Sequence, residues 1–184
     1  MGHLALGAAP RRPPFRLFLF LAFGFLLAKC DSSGCDAGDR CGCEGGNECY
    51  LDCDGGGCEH ECRSVGECGS VCGDDCGFTC SSTTSCSSYC DDGCATECFG
   101  TSECGMICGS RCNFDCHNAS RCGARVGPSS TVRCSSVSSC VVECEGSCEV
   151  YCEGVGGDGC VVECASGSPF PCRNGNEGCL ECAR

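Results

Sequence analysis

Cysteines recur along this chain at intervals of 18 residues, and no other feature constrains its fold as tightly. Cys68, Cys86, Cys104, Cys122 and Cys140 stand 18 residues apart. Three successive copies share the spacing C-x3-C-x3-C-x3-C-x5: Cys68, Cys72, Cys76, Cys80; Cys86, Cys90, Cys94, Cys98; and Cys104, Cys108, Cys112, Cys116. Cys140, Cys144, Cys148 and Cys152 repeat it. Cys49, Cys53, Cys58 and Cys62 form an earlier copy with one inserted residue, and Cys160, Cys164 and Cys172 a decayed late one. A fixed period of this length marks a repeat architecture in which each unit buries its core only against its neighbours.

Each copy reads as two five-residue segments, C-x-Φ-x-C, joined by three residues and then by five. In a strand, positions i, i+2 and i+4 share one face, so both cysteines and the residue between them point the same way. The middle residue of the first segments is Leu51, Ser70, Ser88, Met106, Ala124, Val142 and Val162. In the second segments it is His60, Phe78, Thr96, Phe114, Val132, Val150 and Phe170. This column is mostly apolar, while alternate positions such as Asp52, Glu61, Glu97, Asp115 and Glu143 are polar. Alternation with period two argues for strands over helices. The linkers, such as Gly73-Asp74-Asp75 and Ser81-Ser82-Thr83-Thr84-Ser85, are turns.

Two short strands and two turns per 18 residues predict an all-β fold, a narrow disulfide-stapled β-solenoid of seven or eight coils stacked about 4.8 Å apart. The alternative is an antiparallel β-meander, which leaves one cysteine face in need of cover.

The degenerate copy from Cys122 to Cys134 has Val126 and Ser130 in place of its second and third cysteines. Disulfides tend to vanish as pairs, so second is expected to pair with third, and first with fourth, inside one coil. This predicts Cys68–Cys80 with Cys72–Cys76, Cys86–Cys98 with Cys90–Cys94, Cys104–Cys116 with Cys108–Cys112, Cys122–Cys134 alone, and Cys140–Cys152 with Cys144–Cys148. Bridges between neighbouring coils compete with this scheme, because stacked strands bring Cα atoms within disulfide range. Residues 30–48, with Cys30, Cys35, Cys41 and Cys43, read as an irregular N-terminal cap; 49–164 as the repeats; and 165–184, where Cys179 or Cys182 is available to Cys164, as a C-terminal cap.

With 31 cysteines in 184 residues and no Trp, the chain has the composition of a disulfide scaffold destined for an oxidising compartment. Its N-terminus agrees. Arg11, Arg12 and Arg16 precede an uncharged run from Leu17 to Ala28, too short to span a bilayer. This is the pattern of a secretory signal over 1–29, so no transmembrane segment is expected in the mature chain. Leu27-Ala28-Lys29-Cys30 resembles a bacterial lipobox, although Lys29 stands where that pattern wants a small residue; Cys30 is therefore a candidate lipid anchor. Without residues 1–29 the 12 basic residues fall to 8 against 25 acidic ones, a net charge of −17. Such a surface repels nucleic acid and anionic lipid.

The repeats of 49–164 resemble exported bacterial cysteine-rich repeat proteins, a resemblance that implies no particular activity. They are similar in design alone to the disulfide-braced insect antifreeze solenoids. The ranked Thr-x-Thr of those proteins is missing: the outward columns here read Val71, Tyr89, Ile107, Arg125, Glu143 and Thr79, Glu97, Asp115, Arg133, Tyr151.

Chemistry finds few footholds. Zinc sites favour C-x2-C and metallothioneins C-x-C; each occurs once, at Cys179/Cys182 and Cys41/Cys43. A thiolate or acidic-surface metal protein is the main alternative to a structural module. A calcium roll is disfavoured because the short turns change from Asp74-Asp75 and Asp91-Asp92 to Gly109-Ser110-Arg111 and Gly127-Pro128-Ser129. His60 and His117 fall at unlike positions without recurring partners, so no catalytic residue and no cofactor is nominated. The expectation is an exported, non-catalytic structural or interaction module, secreted or on the cell surface, whose partner is another protein or a surface. Its candidate contact is the outward stripe Val71, Tyr89 and Ile107, standing above Gly69, Ser87 and Gly105.

Overall fold

A computed structural model describes residues 34–156, 159–171 and 177–179. The expected signal segment 1–29 and the candidate anchor Cys30 lie outside the described residues, as do Cys172 and Cys182. All the regular structure described is β.

The strands alternate between two sheets. One sheet holds β2 (Glu48–Cys53), β4 (Glu67–Cys72), β6 (Ser85–Cys90), β8 (Glu103–Cys108), β10 (Arg121–Val126), β12 (Ser139–Cys144) and β14 (Gly159–Cys164), all stacked in chain order. The other holds β1 (Arg40–Glu44), β3 (Glu59–Arg63), β5 (Gly77–Ser81), β7 (Ala95–Phe99), β9 (Asn113–His117), β11 (Ser130–Ser135) and β13 (Cys148–Glu153), followed by β16 (Glu177–Cys179) and β15 (Phe170–Pro171). Each strand of a coil is parallel to its equivalent in the next, and the registers repeat the 18-residue period: Cys68 aligns with Cys86, Cys86 with Cys104, and Cys104 with Cys122. The fold is a parallel β-solenoid of about seven coils. Parallel pairing excludes the antiparallel meander.

Two details depart from the expected division of the chain. β1 lies in register under β3, with Cys43 against Cys62, so the ladder begins at Arg40, inside the segment expected to be an irregular cap. At the other end β16 runs antiparallel to β13 and to β15, and Phe170 pairs with Gly178 rather than continuing the parallel column.

The inward columns are as expected. Burial alternates with period two along β2, β6, β7 and β8, and Leu51, Met106, Phe114, Val132, Val142 and Val150 are all buried; in β13 the alternation breaks, because Glu149 is buried as well. A further buried column lies at the corners. Val65, Thr83, Thr101, Ala119 and Val137 are each the central residue of a five-residue turn, 18 residues apart, and all are buried. The preceding residue in those turns has positive φ: Ser64 (54°), Ser82 (54°), Gly100 (63°), Asn118 (52°) and Ser136 (54°). That left-handed step turns the next side chain inward and aims the backbone N–H along the rod. Ser82 N–H donates to the Phe99 carbonyl (3.2 Å), and Asn118 N–H to that of Ser135 (3.1 Å). The last residue of the three-residue turns does the same: Asp75 (φ 56°) donates to Asp92, and Arg111 (φ 58°) to Pro128. Backbone pairing thus continues around both corners, which leaves few orphaned groups in a fold of short strands.

The disulfides follow the corners. Second cysteines bond third cysteines, as expected: Cys72–Cys76, Cys90–Cys94, Cys108–Cys112 and Cys144–Cys148. The first-to-fourth pairing does not occur. Instead the fourth cysteine bonds the first of the following coil, in Cys62–Cys68, Cys80–Cys86, Cys98–Cys104, Cys116–Cys122, Cys134–Cys140 and Cys152–Cys160. The physical reason is the staircase of a solenoid: a coil does not close on itself, and its five-residue turn delivers the chain one level up. Cα atoms across that turn are 6.3 to 6.5 Å apart in Cys80–Cys86 and Cys98–Cys104, within disulfide range. Val126 and Ser130 in place of the second and third cysteines leave this scheme intact, because Cys122 and Cys134 belong to different bridges. Every cysteine from Cys35 to Cys164 is disulfide-bonded. Most bridges close loops of four to six residues, which limits each to about 2 kcal/mol of chain entropy.

Candidate functional site

The face of the sheet made by the even-numbered strands from β2 to β14, here the even-strand face, carries three outward columns, whose order the ladder register sets. The third runs Asp52, Val71, Tyr89, Ile107, Arg125, Glu143. The second runs Tyr50, Gly69, Ser87, Gly105, Gly123, Val141, and the first Glu48, Glu67, Ser85, Glu103, Arg121, Ser139.

The structure stacks the expected stripe residues on successive strands and leaves them open: Val71 is 52 % exposed, Tyr89 52 % and Ile107 49 %. Sequence reasoning missed a fourth member. Tyr50, 62 % exposed, belongs to the second column; its ring lies over Gly69, its neighbour in that column, and it lines the same groove as the stripe. A Cβ on Gly69 would come within 2.7 Å of the ring's Cδ1. Gly69 is therefore the seat of an aromatic ring. Gly105 and Gly123 keep the floor low in a different sense: a Cβ on Gly123 would meet nothing within 4 Å, and one on Gly105 only backbone near that limit.

Together these residues bound a groove of about 690 Å³ that crosses the strands. Val71, Tyr89 and Ile107 form one wall, Tyr50 stands at one end and Val141 at the other. Charge is distributed unevenly along it. The Tyr50 end carries Glu48, Asp52 and Glu67; the far end carries Arg121, which pairs with Glu103, and Arg125, bonded to Glu143 at 2.6 Å. The Glu143 carboxylate holds the Arg125 guanidinium above its ordinary pKa.

The opposite face is different in kind. Glu59, Glu61, Glu97 and Asp115 make it acidic, and its aromatic groups are already engaged. Phe99 and His117, both strand ends, stack with ring centroids 5.6 Å apart, and Arg133 lies over the Tyr151 ring at 4.9 Å. His117 is the last residue of β9.

Other candidate chemistry dissolves into structure. Among the described residues, four groups of three cysteines bring their sulfurs within 4.8 Å of one another, one of them Cys49, Cys62 and Cys68. All are half-cystines, with no thiolate to offer a metal. The acidic short turns serve the backbone: Asp74 accepts from the Asp92 N–H at 3.1 Å, and Asp92 from the Ser110 N–H at 2.6 Å. The Ser110 hydrogen bonds hold the Asp92 carboxyl below its usual pKa. His60 is sealed in the core, where Nδ1 meets Ser70 Oγ at 2.7 Å and Nε2 has no partner. Burial lowers its pKa, against the pull of Asp52 and Glu59.

No protein-family model matches the chain, and neither does any curated protein or solved structure.

Proposed function

We propose that this protein is an exported, non-catalytic interaction module, a disulfide-braced rod that offers its even-strand face to a partner outside the cytoplasm. The observation that carries the reading is the groove: four large apolar side chains stand half-exposed on successive strands above glycine and serine. A rod with an acidic surface keeps its solubility without them, and a contiguous apolar patch on a soluble protein marks a contact. Support for the compartment comes from the bridges themselves, which persist under oxidising conditions. The basic, then apolar, N-terminal sequence fits export, with secretion or surface retention at Cys30 as the two routes.

A thiolate metal protein has weaker support, because the cysteines from Cys35 to Cys164 are spent in disulfides.

Tyr89→Asp tests the reading. The substitution is on an outward strand position, so the disulfide pattern and the β-rich circular dichroism spectrum are expected to persist. Fluorescently labelled wild-type protein is expected to be retained on the cells that make it, and the variant to wash off. Equal retention of the two folded proteins overturns the assignment of this face.

A further inference from the structure

We propose that the partner seated on the even-strand face is a second copy of this chain, turned end for end about a two-fold axis parallel to the strands at the level of Tyr89. This rests on the interaction reading above and names its occupant. Rotation about that axis keeps each outward column opposite itself and reverses the order of coils within it.

In the third column, Tyr89 then faces Tyr89 of the other copy, Val71 faces Ile107, and Asp52 faces Arg125. In the first column, Glu48 faces Arg121. In the second, Tyr50 faces Gly123, and because its ring leans over Gly69 it also reaches the level of Gly105. The most exposed aromatic ring of the face thus meets the two positions where the other copy has no side chain. Knob, hole and opposite charges coincide under one operation, as an isologous interface requires. The one like-charge pair, Glu67 against Glu103, is tempered by Arg121, which is bonded to Glu103.

The alternative two-fold, along the rod, fails on the same residues. It places the first column against the third, with Glu48 on Asp52 at one end and Arg121 on Arg125 at the other. Like charges meet at both ends, and Tyr50 meets Tyr50.

Five strands at about 4.8 Å and six residues at about 3.3 Å make a footprint of about 480 Å² per copy. Stable interfaces bury about 800 Å² per partner. The dimer is accordingly concentration-dependent, with dissociation in the micromolar range or above.

Sedimentation equilibrium of the folded protein at about 0.15 M salt, over a wide concentration range, provides the test. Asp52→Arg and Arg125→Asp are each expected to weaken the homodimer about tenfold or more, since each sets like charges opposite one another. An equimolar mixture of the two variants is expected to recover wild-type association, because in the heterodimer both pairs are again opposite in sign, one as in the wild type and one with its charges exchanged. Gly123→Leu, which fits its own chain, is expected to abolish the dimer by filling the place opposite Tyr50. A chain that stays monomeric to about 1 mM overturns the second-copy proposal; if Tyr89→Asp still removes cell retention, the interaction reading survives it. A dimer indifferent to both charge reversals and to Gly123→Leu overturns the proposed geometry. Disulfide mapping of each variant verifies that a lost dimer is not a lost fold.

Discussion

Cys80 is bonded to Cys86, the first cysteine of the following coil, and not to Cys68 of its own coil. One coil earlier both kinds of partner are within reach, since the sulfur of Cys62, the equivalent residue, lies within 4.8 Å of those of Cys49 and Cys68, which are one level apart. The choice makes every bridge of the repeat a staple across one corner, so strength along the rod comes from backbone ladders and close packing.

This connectivity has a clean readout. Cleavage after glutamate yields the peptide 98–103, which contains a single cysteine, Cys98. It is expected to be linked by disulfide to the peptide 104–143, through Cys104. Mass spectrometry finding it on the peptide 68–97, which contains Cys86, establishes closed coils instead.

Thr101 sits in the buried corner column, and its hydroxyl is without a hydrogen-bond partner. Val65 and Val137 fill the equivalent positions in other coils. Thr101→Val keeps the shape and removes an unsatisfied buried hydroxyl, so it is expected to stabilise the rod by about 1–2 kcal/mol. Guanidinium unfolding at elevated temperature measures the change. Destabilisation of that size speaks for an acceptor or a bound water at Thr101.

His60 imposes a pH dependence. Burial first, opposed by Asp52 and Glu59, lowers its folded-state pKa from the ordinary 6.5. The unfolded chain therefore takes up the proton more readily than the folded one. Stability from this site is complete above about 6.5 and is lost as pH falls from there through the depressed folded value. Amide hydrogen exchange in β3 and β4, corrected for intrinsic rates, is expected to accelerate from pH 7 to 5. His60→Leu is expected to flatten that response; an unchanged slope removes His60 as its cause.

Much of this molecule was legible in its residues. The cysteine register set the coil length, and period-two alternation set the strands and the inward column of Leu51, Met106 and Phe114. Both are local properties, because a strand's faces follow from position parity alone. The outward stripe of Val71, Tyr89 and Ile107 followed once the coils were stacked in register. Corner residues were harder. Thr83 or Ala119 among serine and glycine reads as turn, and only the left-handed step before it shows that the side chain goes inward.

What the sequence determined by itself, then, was the repeat, the two strands per coil and the bridging of second cysteine to third, since three intervening residues leave those two little choice. The tertiary structure decided the rest. Parity alone could not tell Cys80–Cys86 from Cys80–Cys68, because the missing pair at Val126 and Ser130 is compatible with both; the rise of the staircase selects between them. Likewise Tyr50 belongs to a different column from Tyr89, and only its lean across the bare backbone of Gly69 makes the two rings part of one groove. Stacking brings into contact residues 18 or 19 positions apart, and at that distance a side chain's company depends on how far each coil climbs and on what its neighbours leave empty.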